Sequence, residues 1–169
     1  MIQKKLKIDR NFSFLLISLI LVEYVRAAFI ISYLPVQAAV GTQFTLALVG
    51  LAISLHYISE AFSNFQIGFL MNRFGIQKVI SLSFLLIFIS FIIVPLFQFN
   101  AIVIVFASIL LGFGACPIWI LLLAKASSGS RGKNMGLIYF CWILGMASGV
   151  IVMNYLMNIN LVVSYWLLP

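Results

Sequence analysis

Apolar residues come in long uninterrupted blocks along this chain, with no alternation of apolar and polar positions. The blocks cover roughly 12–34, 44–70, 76–98, 100–124 and 134–157. Each is long enough, as a helix rising about 1.5 Å per residue, to cross a bilayer core of about 30 Å. A further block, 161–169, reaches the last residue well short of the roughly 20 residues that a span needs. The pattern predicts an all-α polytopic membrane protein with five full spans and a truncated sixth. They form one bundle over 1–169, with no room for a soluble domain. The short last block is read as a sixth span that is missing or cut off.

Composition agrees. Charged residues make up 8% of the chain, against about 25% in a soluble domain, and the mean hydropathy is +1.23. The first block follows a basic start, "MIQKKLKIDR", but it exceeds a signal-peptide core and no small-residue cleavage site closes it. It is therefore read as a retained span. Cys116 and Cys141 fall inside apolar blocks without partner spacing and read as small packing residues.

Charge then orients the bundle. Lys4, Lys5, Lys7 and Arg10 precede the first block, Arg73 and Lys78 lie at the second connection (71–77), and Lys125, Arg131 and Lys133 lie at the fourth (125–133). The alternate connections, "PVQAAVGTQ", "FQFN" and "MNIN", hold no Lys or Arg. The positive-inside rule thus predicts a cell-membrane protein with a cytoplasmic N-terminus. The same asymmetry accounts for the net charge of +7 without a nucleic-acid partner.

Four ionisable residues lie well inside the blocks: Glu23, Arg26, His56 and Glu60. A charge at mid-membrane costs about 2.5–3.5 kcal/mol even on the lenient insertion scale, so such groups face a partner or a wet cavity. Glu23 and Arg26 are i, i+3, and His56 and Glu60 are i, i+4, so each pair shares a helix face. Ser59, Ser63 and Asn64 continue the second face, and two polar stripes on consecutive spans point to one shared cavity. A bland reading stands beside this one, with a Glu23–Arg26 bridge that only fixes helix rotation and a His56 that hydrogen-bonds within the bundle. Glu60 is the sharper signal, because it lacks a local cation and must find either Arg26 or a proton. An acid that alternates between the two is how a carrier couples to a proton gradient.

Trp119 and Trp142 sit away from the interfaces where tryptophan usually anchors. Their faces can stack on a sugar ring, or they can simply pack. Pro117, with Gly112 and Gly114, marks a bend in the fourth block, and Gly145 and Gly149 form a GxxxG spacing that reads as close helix packing.

The second connection, "GFLMNRFGIQK", resembles the loop signature of the major facilitator superfamily at Gly68, Arg73, Gly75 and Lys78, with Asn72 at the acidic position. "RGKNMG" at 131–136 is similar to the superfamily's second cytoplasmic loop. The resemblance implies the N-terminal helical bundle of that fold, with a C-terminal half, absent here, that transport needs. The segments "VEYVRAAFIISYLP", "SLHYISEAFSNFQIGFL" and "CPIWILLLAKASSGSRGKNMGLIYFCWILG" look like the glycolipid flippases of lipoteichoic acid synthesis in Gram-positive bacteria. That narrower likeness implies a transporter and not an enzyme, exchanging protons for a diglucosyl-diacylglycerol anchor without cofactor or metal. Its partners would be the glycolipid, protons and membrane lipids, and the 169-residue chain alone would be inactive.

Carried over by position, Glu23, Arg26 and Glu60 would serve proton coupling. Trp119, Trp142, His56 and Asn64 would meet the sugar head, and Gly68, Asn72, Arg73, Gly75 and Lys78 would form the cytoplasmic gating motif. Glu60 stands where those flippases more usually have aspartate, and Asn72 cannot form the motif's charged latch. A superfamily carrier for another sugar-like or amphiphilic solute is the alternative. A non-transporting scaffold would leave the intramembrane charges unexplained. An intramembrane protease would need a Gly-x-Ser-Gly or metal constellation that the sequence lacks.

Overall fold

Among the described residues, five helical spans are each long and apolar enough to cross a membrane. The computed structural model describes residues 10–39, 44–97, 100–127 and 131–159. Lys4, Lys5, Lys7 and the short block at 161–169 lie outside the described residues. The first span is made of α1 (Arg10–Arg26), a π-helical stretch (Ala27–Tyr33) and α2 (Leu34–Ala39). The others are α3 (Leu46–Phe74), α4 (Ile76–Leu96), α5 (Ala101–Ala126) and α6 (Arg131–Ile159). Large side chains such as Phe65, Phe69, Ile102 and Tyr155 project outward, as expected of a surface that faces acyl chains instead of water.

The helices overrun the apolar blocks because the blocks report membrane thickness and not helix length. Two differences alter the picture. The first span does not stop at residue 34; it continues through Pro35 to Ala39. Proline removes one backbone donor and crowds the carbonyl a turn earlier. The π-helical stretch lies directly before it, and its wider turn lets the Leu34 N–H reach the Phe29 carbonyl. The second connection shrinks from the expected 71–77 to Gly75 alone. Its φ of 88° is one that glycine adopts freely, and its N–H closes α3 on the Met71 carbonyl at 3.0 Å.

Helix α5 is the centre of the bundle, with α3 and α4 packed on it, while α6 and the π-helical stretch pack together against α1. Close approach is built from glycine. A Cβ at Gly112 would run into the Ser59 hydroxyl and the His56 carbonyl, so any side chain there would push α3 off α5. Gly145 and Gly149 likewise face the α1 backbone at Ile20 and Tyr24. The GxxxG spacing therefore serves the α1–α6 contact as the sequence indicates.

The buried stripe of α3 is Val49, Ala52, His56, Ser59, Ser63 and Ile67, half of it polar. In a bilayer each buried polar group needs an internal partner. Ser59 donates to the His56 carbonyl at 2.7 Å and lies 3.1 Å from the Ile109 carbonyl across the interface. On α4, Ser90 donates to the Ala107 carbonyl at 2.8 Å. These bonds and the small residues beside them fix how α3 and α4 sit on α5. Helix α5 itself runs unbroken through Pro117 as an α-helix.

Candidate functional site

Charge gathers where the first two spans face each other. Arg26, at the end of α1, donates from Nε to Glu23 Oε2 at 2.9 Å, and its Nη2 reaches the same oxygen. Both side chains are more than nine-tenths buried. The other arm of the guanidinium, Nη1, lies 3.8 Å from Glu60 Oε2 on α3. Nη2 also rests 3.8 Å from the Met146 sulfur on α6. The cation thus belongs to a three-membered cluster. Glu23 is clamped to it, whereas Glu60 is half-buried and held only loosely.

His56 lies one turn from Glu60. It is wholly buried, its Nδ1 is 3.1 Å from the Ser108 carbonyl on α5, and its Nε2 is 3.9 Å from Glu60 Oε2. The expectation is that His56 meets a substrate; here α5 covers the ring, which has no exposed surface. Ser59 and Ser63 are likewise buried, on the stripe that packs against α5. Ser59 is packed away there, whereas Ser63 borders an apolar groove of about 400 Å³ between α3, α4 and α5. Asn64 is exposed and accepts from the Cys116 thiol at 2.9 Å.

A second cluster is aromatic. Trp119 of α5 and Trp142 of α6 stand 6.0 Å apart between ring centroids, tilted by 48°. Tyr139 packs edge-on to both, at 5.7 Å and 6.3 Å. Trp142 lies beside both clusters, with its indole near enough to the Glu23 carboxylate to act on it electrostatically. Tyr139 was missed in the sequence. Its only signal was its i, i+3 spacing from Trp142.

The model of the Major Facilitator Superfamily matches residues 15–168. The chain belongs to the major facilitator superfamily. It is similar to the proton-coupled antiporter flippase LtaA of Staphylococcus haemolyticus, at 40% identity over 153 residues that make up 90% of this chain and 38% of that protein. The proteins of the same name in Staphylococcus epidermidis and Staphylococcus aureus are 39% and 38% identical over 152 and 151 residues. The chain spans about 38% of the length of these curated relatives.

The superfamily's loop signature lies at the far end of α3, some 20 Å along the helix from Glu60 at about 1.5 Å per residue. Gly68, Asn72 and Arg73 are exposed on the last turns of α3. The Arg73 guanidinium lies over the Phe69 and Phe74 rings at 5.9 Å and 5.4 Å. Lys78, at the start of α4, borders an apolar groove of about 400 Å³ that also touches Ile67, Phe74, Phe113 and Pro117. The structure therefore brings Glu23, Arg26, His56 and Glu60 together and links them to Trp119 and Trp142. It keeps the loop signature apart from them.

Proposed function

We propose that this bundle is the N-terminal half of a proton-coupled carrier that flips a glycolipid anchor of the diglucosyl-diacylglycerol type for lipoteichoic acid synthesis. One observation carries the reading: Trp142 lies between a buried ionisable cluster and a set of packed aromatic rings, Trp119 and Tyr139. A group that changes charge and a surface suited to a sugar head then share one side chain. The relatives named as proton-coupled antiporter flippases support both halves of this reading. The sugar would lie against Trp119, Trp142 and Tyr139, with its tails among the leucines, isoleucines and phenylalanines nearby.

Glycolipid binding tests it on the chain itself. Diglucosyl-diacylglycerol titrated into nanodiscs holding a Trp166→Phe background should shift the emission of Trp119 and Trp142. Diacylglycerol without sugars should not. Trp142→Ala should weaken the response by about 5- to 10-fold, as expected for loss of one aromatic stacking contact worth roughly 1 kcal/mol. An equal response to the sugarless lipid would show that the rings read tails and not a headgroup.

We assign the end of the bundle at Gly75 to the cytoplasm. Arg73, Lys78, Lys125, Arg131 and Lys133 gather at that end. Cys116 and Cys141 are buried, so single introduced cysteines report cleanly. In intact cells, Phe97→Cys should react with an impermeant maleimide, and Lys133→Cys should react only after permeabilisation. The reverse pattern would invert the assignment.

A further inference from the structure

His56 carries an unspent hydrogen-bonding atom. A backbone carbonyl can only accept, so the contact between Nδ1 and the Ser108 oxygen requires the proton on Nδ1. In the neutral ring this leaves Nε2 with a lone pair and no hydrogen. That atom is buried and, among the described residues, has no hydrogen-bond partner. An orphaned polar atom in a membrane interior is costly, and a native structure gives it a reason. The group it faces is the Glu60 carboxyl, whose Oε2 is 3.9 Å away.

The same oxygen is 3.8 Å from Arg26 Nη1. Glu60 therefore stands midway between a group that only donates and a group that can only accept, bonded fully to neither. The two forms of a carboxyl choose oppositely: the carboxylate accepts from a guanidinium, and the acid donates its O–H to a lone pair. The remaining neighbours are committed. Glu23 is clamped by Arg26, the Ser59 hydroxyl is bonded to carbonyls, and the Cys116 thiol donates to Asn64. Tyr57, the other titratable group near this cluster, acts on Arg26 and packs edge-on to the His56 ring.

We propose that His56 is a positioning residue for the proton-loaded state. Its Nε2 accepts a hydrogen bond from protonated Glu60, while Arg26 holds the ionised form, so that a change in protonation swings the carboxyl from one partner to the other. While the two are bonded the proton remains on Glu60 and is not passed to the ring; on ionisation it leaves to water, and the ring stays neutral in both states. The swing needs a closure of roughly 1 Å on either side to reach hydrogen-bond length. This inference deepens the proton-coupled reading and rests on it for any consequence to transport, but its test requires no transport.

His56 is the single histidine of the chain, so ¹⁵N-histidine labelling gives one pair of ring resonances. In nanodiscs at acidic pH, Nδ1 should appear protonated and Nε2 unprotonated, with the shift of a hydrogen-bond acceptor. Glu60→Ala should move the Nε2 resonance to the value of a free ring nitrogen. Glu60→Gln should leave it near the parent, because the amide N–H can still donate. Raising the pH of the unmodified chain should reproduce the Glu60→Ala shift without any mutation, which covers the case of a variant that does not fold. A proton on Nε2, a doubly protonated ring in acid, or an Nε2 shift indifferent to both pH and Glu60→Ala would overturn the proposal. Should this signature appear while glycolipid binding fails, the pairing stands and the substrate reading falls.

Discussion

Replacing Arg26 with alanine is expected to cost about 3–5 kcal/mol of stability, the usual penalty for removing one partner of a buried ion pair. The reason lies in what remains. Glu23 is more than nine-tenths buried and takes two donors from Arg26. Glu60, on the facing helix, has the same guanidinium as its nearest cation at 3.8 Å. Without the arginine, two carboxyl groups share a site of low dielectric with no counter-charge. The loss should therefore shrink when the stranded acid is removed as well. Arg26→Ala combined with Glu23→Gln should regain more than half of it, since an amide is far cheaper to bury than a carboxylate. Arg26→Lys should fall between, because a single ammonium cannot hold Glu23 through two nitrogens while reaching Glu60 with a third. Equilibrium unfolding in mixed detergent micelles, followed by tryptophan emission, measures all three. A parent-like Arg26→Ala, within about 0.5 kcal/mol as for an ordinary surface change, would mean that the cluster is not held together by this cation.

Much of this arrangement was legible in the sequence because membrane burial leaves few degrees of freedom. A 20-residue apolar block has to be a helix. An i, i+3 pair of opposite charges inside one has to meet, and glycines four apart have to face a neighbouring backbone. What stayed hidden depends on contacts between helices. Helical spacing put His56, Ser59 and Ser63 on one face but could not say whether that face met a cavity or another helix. Gly112 settles the packing, by bringing the α5 backbone against His56 and Ser59, so that His56 is enclosed between α3 and α5 with its Nε2 toward Glu60. The π-helical stretch before Pro35 was equally invisible. A proline in a span can end it, kink it or be absorbed by a wider turn, and here the buried packing of Ala27–Tyr33 on α6 supports the third outcome. The one-residue connection at Gly75 was masked by its polar neighbours, which read as a loop although they belong to helix ends.

In a full-length carrier with this chain as its N-terminal half, Glu60→Gln should abolish acceleration by a proton gradient and leave glycolipid binding near that of the parent. The amide mimics the protonated acid in shape and can still donate to His56 Nε2, but it can neither release a proton nor draw Arg26 as a carboxylate does. A carrier locked in this form should still exchange lipid slowly between leaflets, at a rate blind to the pH difference. Glu23→Gln separates the two acids. The resemblance places Glu23 with the coupling residues, but Glu23 is fixed to Arg26 by paired bonds, so its loss is expected to lower stability while the folded fraction keeps its gradient response. Ser59→Ala is a further control, since the hydroxyl bonds to backbone carbonyls of α3 and α5 without touching the carboxyl in question. The measurement is glycolipid translocation in proteoliposomes with and without an imposed pH difference, normalised to folded protein. If this bundle only scaffolds a membrane assembly, any effect of these variants would be confined to folding or insertion. Undiminished gradient stimulation in well-folded Glu60→Gln would remove Glu60 from the coupling step. The position of its carboxyl between a fixed donor and a fixed acceptor would then be a feature of packing alone.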